Sequence, residues 1–171
     1  MPKKIACNVE GVRVIDNENV IEDVQSMELP EIAFTTTEVD SSGMVAAIDV
    51  PSMTHIDAME YSIEHNNGLN CHILSSPGKH FTELRIARQA YNNAKGEMEL
   101  ESIKHRMTGI LKSSKGGTVE QKNPLGTTET YSVLRYEKEV NGEIVILIDV
   151  TAGILKINGK DYTSDIESLL N

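Results

Sequence analysis

The chain has 171 residues and a net charge of −10, from 16 Lys and Arg against 26 Asp and Glu, which fits one acidic domain spanning 1–171. Its hydrophobic fraction of 39% with mixed charge argues for a folded protein and against disorder. Runs of about 18 apolar residues are absent, Met1-Pro2-Lys3-Lys4-Ile5 leads into no apolar segment, and only Cys7 and Cys71 are present; a membrane anchor, a secretory signal and a disulfide framework are therefore not expected, and a reducing compartment fits best.

Charge is uneven along the chain. From Glu10 to Glu64 there are 13 acidic residues against Arg13 alone, whereas Lys104, Arg106, Lys112, Lys115 and Lys122 face only Glu120. Such clustering marks solvated faces and long-range steering, and an acidic half repels nucleic acid. Period-two alternation dominates the elements. Met27 and Leu29 share a face opposite Glu28, Pro30 interrupts, and Ile32 and Phe34 resume it opposite Glu31. Residues 40–54, with Ser41-Ser42-Gly43 and Pro51-Ser52, read as a long, partly extended connection. Residues 57–65 predict a strand with Met59, Tyr61 and Ile63 inward and Glu60, Ser62 and Glu64 outward.

Further along, Asn70 to Ser75 predicts a short helix stopped by Pro77-Gly78. Asn92 to Gly96 predicts a reversal between strands at 80–91 and 97–111, and the basic stretch 112–122 reads as a mobile loop. Asn141-Gly142 and Asn158-Gly159 each sit between apolar runs, the signature of a tight two-residue hairpin. The first should join a strand near 130–140 to one near 143–157, with Ile144, Ile146 and Ile148 inward. Residues 162–170 predict a terminal turn or two, N-capped by Thr163 or Ser164, with Ile166, Leu169 and Leu170 on one side. The fold class is mainly β, an antiparallel sandwich or open barrel with one short α-helix.

Catalytic chemistry finds no support. The five histidines (His55, His65, His72, His80 and His105) and Cys71 match no metal-ligand spacing, and they read as surface or rim residues. Glu60 and Glu64 share a strand face, but about 13 Å of strand rise separates them, too far to act on one bond. Hydrolase, phosphate-loop and zinc-protease motifs are absent. The expectation is no enzyme, no cofactor, no metal and no catalytic residue. What is left is surface chemistry: opposed charge clusters and sheet edges suited to head-to-tail self-association. A monomeric β-sandwich module binding protein or carbohydrate is the alternative, weakened by seven aromatics and no Trp.

The order Met27-Glu28-Leu29-Pro30-Glu31-Ile32, Thr36-Thr37-Glu38-Val39, Ser42-Gly43-Met44-Val45-Ala46-Ala47-Ile48-Asp49-Val50-Pro51 and Asp57-Ala58-Met59-Glu60-Tyr61 resembles the major tail tube protein family of contractile-tailed phages and related contractile bacteriocins. Pro77-Gly78-Lys79-His80, Leu84-Arg85-Ile86-Ala87 and the two Asn-Gly hairpins extend the similarity in order over nearly the whole chain. The resemblance implies homo-hexameric rings stacked into a hollow tube, with sheets joining between subunits. It implies a contractile sheath around the tube, baseplate and tail terminator proteins at its ends, and DNA passing without specific binding if the particle is a phage. The particle would be a virion tail or bacteriocin assembled in the bacterial cytoplasm. Joined to the residue pattern, it predicts Glu28, Glu31, Glu60 and Glu64 facing the lumen. Met44, Val45, Ile48, Val50 and Met53 become an inter-subunit loop at about 40–54, and Lys112, Lys115 and Lys122 an inter-ring basic loop. The acidic stretch with Asp16, Glu18, Glu22 and Asp23 carries no motif of that family, so the first strand is left open.

Overall fold

The computed structural model describes residues 3–66 and 71–170. In chain order the elements are β1 (Lys4–Asp16), β2 (Asn19–Ile21), β3 (Val24–Glu28), β4 (Phe34–Val39), β5 (Ile48–Ile56), β6 (Glu60–His65), α1 (Cys71–Leu74), β7 (Lys79–Asn92), β8 (Glu97–Lys115), β9 (Thr127–Val140), β10 (Glu143–Asp149), β11 (Ile154–Ile157), β12 (Lys160–Asp161) and α2 (Ser164–Leu170). Strand neighbours run in the order β12-β11-β10-β9-β8-β7-β1-β2, with β3 and β6 attached to β9, and every pair is antiparallel. The expected mainly β, open antiparallel architecture is thus observed.

One strand divides the sheet. The first half of β9, Thr127 to Ser132, pairs with β6, and its second half, Arg135 to Val140, pairs with β10. The opposite edge of β9 runs along β8, where the register shifts between Thr108 and Gly109. A bulge raises local twist, and here the sheet splays into two layers over one core. Tyr61 and Tyr131 stack at 4.7 Å within it, beside Ile63, Leu84, Met107 and Ile148. Gly109 permits this stack, because a Cβ there would lie 2.9 Å from Tyr61 Cε1 and 3.0 Å from the Ser132 carbonyl oxygen. Both Asn-Gly hairpins form as expected, with positive φ at Asn141 (50°) and Gly142 (87°) and at Asn158 (51°) and Gly159 (79°).

Several expectations change. Residues 40–54, expected as a partly extended connection, are the loop 40–47 and most of β5, which pairs with β4 in a separate two-stranded ribbon. The strand expected over 143–157 is two, split by a turn at 150–153 where the Asp149 carboxylate accepts the Ala152 amide at 2.9 Å. Within the first of them a register shift between Ile144 and Ile146 leaves Ile144 exposed while Ile148 is buried. The basic stretch begins as strand, since β8 runs on to Lys115, and only 116–122 of it is loop. The following loop is closed by Thr118 donating to the Leu125 carbonyl at 2.9 Å, with Gly117 (φ 79°) so close to Leu125 that no side chain fits. Helix α2 begins at Ser164, so Thr163 takes the expected N-cap position, and the Asp161 carboxylate ahead of it accepts the amides of Thr163 and Ser164. Its Leu169 and Leu170 are exposed. Of the residues expected in the first helix, Asn70 lies outside the described ones.

Candidate functional site

The expected acidic face forms. Alternation on β6 buries Tyr61 and Ile63 and turns Glu60, Ser62 and Glu64 outward, and β3 pairs beside it with Glu28 opposite Ser62. Ser62 donates to Glu28 at 3.3 Å, and Ser26 donates to Glu64 at 2.8 Å. Glu28, Glu31 and Glu60 line one shallow depression of about 460 Å³. The four carboxylates are therefore brought to one side of the β3–β6 layer. Lys112 joins them: its ammonium bonds Glu60, so it lies on the acidic face instead of in a loop. Lys115 ends β8, and Lys122 occupies the closed turn at φ 72°.

The outer side of β7, β8 and β9 is charged but balanced. Arg106 bonds Glu139 at 2.8 Å, Glu83 at 3.3 Å and Glu137, Lys104 bonds Glu139 at 3.1 Å, and Arg135 bonds Glu137 at 3.3 Å. Hydrogen bonding to Lys104 and Arg106 holds the Glu139 carboxyl below its ordinary range. On the sheet's β3–β6 side acid predominates.

Besides the short end strands β12 and β2, two longer borders of the sheet are open on one side among the described residues. From Lys4 to Arg13, β1 pairs only with β7, because β2 covers just Val14 to Asp16; β3 pairs only with β6. Along the course β3-β6-β9-β8-β7-β1 both outer strands therefore present free backbone groups. The β4–β5 ribbon is the third feature. Phe34 and Ile56 pack its base against the core, while Val39, Met44, Val45, Ile48, Val50 and Met53 are exposed, Val45 fully.

The histidines expected at the surface are in part structural. His65, His80 and His105 are buried, and only His55 and His72 are exposed. His80 is hydrogen-bonded through Nδ1 to Asp16 and through Nε2 to the Ser76 carbonyl, each at 2.8 Å. His65 Nε2 stands 3.4 Å from Glu129, and burial pushes Glu129 up and His65 down, holding both toward their neutral forms. Among the described residues no cluster of three or more His, Cys, Asp or Glu could hold a metal.

Sequence reasoning left β1 open, and with it the longer of the two free borders. Its alternation is blurred by register shifts at Ala6/Val9 and Val9/Gly11, and the charged run that follows, Asp16 to Asp23, forms turns on either side of β2.

The family described as phage tail tube protein FII matches residues 9–170. In fold the chain is similar to a chain of the PVC sheath–tube complex of an extracellular contractile injection system, solved by cryo-electron microscopy in its extended state. That similarity has a TM-score of 0.52 at 14% identity and covers 75% of this chain and 87% of the other. No curated protein matches the sequence.

Proposed function

We propose, from the premise that the chain belongs to the phage tail tube protein FII family, that its copies form hexameric rings stacked into the inner tube of a contractile injection system. The family is structural and not enzymatic. The observation that carries the proposal is a curved sheet in which β3, and β1 from Lys4 to Arg13, each lack a partner along one edge among the described residues. Joining those borders between adjacent copies satisfies the backbone groups and closes the ring, as closure does in any barrel.

In such a ring the side bearing Glu28, Glu31, Glu60 and Glu64 faces the channel. Four carboxylates on each of six copies repel the phosphates of passing DNA and keep its passage free of sticking. Screening over about 8 Å at physiological salt confines that repulsion to the wall layer. The β4–β5 ribbon, with Met44, Val45, Ile48, Val50 and Met53, docks on a neighbouring copy, since so many exposed apolar side chains need cover. The closed loop at 116–126, with Lys115 and Lys122, meets acidic residues of the adjacent ring. A contractile sheath surrounds the tube, as the solved relative's sheath–tube complex suggests. Baseplate and terminator proteins bound its ends, within a phage tail or a headless bacteriocin assembled in the bacterial cytoplasm.

Negative-stain microscopy of the purified protein tests this. Rings or filaments of fixed bore are expected. Monomers at every concentration would overturn it.

A further inference from the structure

The ribbon made by β1, β7 and β8 runs past the core, and beyond it the two faces exchange character. Register between β7 and β8 is unbroken from Lys79/Ile110 to Asn92/Glu97, so the sides are fixed by parity. On the core side, Leu84, Ile103 and Met107 give way at the ribbon's end to ions. Lys4 bonds Glu99 at 2.9 Å and Glu101 at 3.3 Å, Arg88 bonds Glu101 at 2.8 Å, and Lys95 bonds Glu99 at 2.8 Å. On the outer side, the charged row of Arg85 and Arg106 gives way to Ile5, Tyr91, Met98 and Leu100. Ile5 pairs with Tyr91, and Tyr91 with Met98. Leu100 is 72% exposed, and Ile5 and Met98 about half. A ribbon that carries ion pairs on the side it elsewhere fills with apolar groups, and exposed apolar groups on the side it elsewhere charges, is built to be covered from outside.

We infer that this outer face of the β1–β7–β8 end is the seat for the β4–β5 arm of a neighbouring copy. The inference rests on the tube reading and names the surface that reading leaves unassigned. The arm is itself two-faced: Val39 pairs with Ile48, with Val50 on the same side, and Glu38 pairs with Asp49 on the other. From Phe34 to Ile56 it carries Glu38, Asp40 and Asp49 and neither Lys nor Arg. The seat is bordered by a cross-strand row of Arg13, Arg85 and Lys104. Arg85 is paired with Glu83 and Lys104 with Glu139, so the charge left to meet an acidic arm is that of Arg13, which makes no ion pair among the described residues. Between that row and Leu100, the small residues Gly11, Ala87 and Ser102 form a trough of about 450 Å³.

Length agrees as well. Met98 to Lys104 spans about 20 Å of strand, and a six-residue strand such as β4 spans about the same. The chain's own arm is rooted elsewhere, its Pro51 and Met53 beside Leu155, Ile157 and Tyr162, and β11 lies toward the far end of the sheet order from β1. The seat is also separate from the acidic face: Leu100 and the Lys112 that bonds Glu60 lie about 40 Å apart along β8. One arm and one seat per copy make a head-to-tail contact, which propagates around a ring or between rings.

Disulfide trapping tests it. In a Cys7→Ser, Cys71→Ser background, Val45→Cys with Leu100→Cys, and Ile48→Cys with Met98→Cys, are oxidised in assembled tubes. A ladder of multimers on non-reducing gels is expected, with single-cysteine controls stopping at dimers. Separately, Met98→Asp with Leu100→Asp should raise the concentration needed for tubes at least tenfold while leaving protomer unfolding unchanged, because both side chains are exposed. Tubes that form at the native concentration in this variant, or that give no ladder from either pair, overturn the seat and leave the tube reading standing. Failure of the unmodified protein to form tubes overturns the tube reading itself.

Discussion

Asp16 is the most consequential single residue in the interior. Fully buried near the end of β1, its carboxylate accepts His80 Nδ1 at 2.8 Å and the Thr82 hydroxyl at 2.9 Å. Because Thr82 donates to Asp16, the Tyr61 hydroxyl donates to Thr82, at 2.8 Å. The far nitrogen of His80 is hydrogen-bonded to the Ser76 carbonyl just after α1. One carboxylate thus ties β1 to β7, β6 and the helix segment. Asp16→Ala leaves a buried imidazole and a buried hydroxyl without their acceptor. Breaking a buried pair from one side costs about 3–5 kcal/mol, a large part of the 5–15 kcal/mol typical of a whole domain. At about 2–4 °C per kcal/mol for a chain of this length, the melting temperature should fall by about 6–20 °C. Asp16→Asn keeps an acceptor for Thr82 but turns a donor toward Nδ1, so its cost should be intermediate, about 1–3 kcal/mol. Urea unfolding followed by circular dichroism, at concentrations below assembly, measures both. The reasoning fails if Asp16→Ala lies within about 1 kcal/mol of the native protein.

Other outcomes follow from separate features. Gly109→Ala adds a methyl 2.9 Å from Tyr61 in ordinary strand backbone, so its cost is steric, about 1–3 kcal/mol; a neutral urea midpoint would show that the tyrosine stack yields. Burial, aided by the Lys138 charge, holds His105 down to about 4, below its ordinary 6.5. The unfolded chain then takes the proton first, so stability is complete above about pH 6.5 and is lost as pH falls toward 4. His105→Gln keeps an acceptor for the Tyr136 hydroxyl and should reduce the difference in melting temperature between pH 7 and pH 4.5. His65, lowered in the same direction, supplies part of the remaining slope. Reversing Glu28, Glu60 and Glu64 to Lys should make tube assembly salt-sensitive and slow DNA release from a phage particle; unchanged assembly and ejection count against an acidic channel.

Much of this architecture was legible because alternation and turn chemistry are local. The Asn-Gly pairs fixed two hairpins, and the period-two pattern of Met59, Tyr61 and Ile63 fixed which way Glu60 and Glu64 point. The same pattern held more than was taken from it. His65 continues the Met59, Tyr61, Ile63 face, and His80 precedes Thr82 and Leu84 on the inward side of β7, yet imidazoles read as surface groups because their buried partners, Glu129 and Asp16, come from distant strands. Residues 40–54 read as a partly extended connection, not as one half of a ribbon, because Pro51 and the Ser-Gly tip suggest irregular chain, while a two-stranded ribbon with no third strand beside it leaves no burial pattern to detect. The inverted ribbon end was hidden for a related reason. Which side of Met98 and Leu100 is outer depends on where the core stops, and that is a property of the whole sheet.

Helical reconstruction of the assembled tube bears most directly on the central idea. The account predicts that the unpaired backbone of Lys4 to Arg13 and of β3 is hydrogen-bonded to adjacent copies, with Glu28, Glu31, Glu60 and Glu64 turned to the bore. Copies that touch through side chains alone, or a wall whose carboxylates face outward, would contradict it.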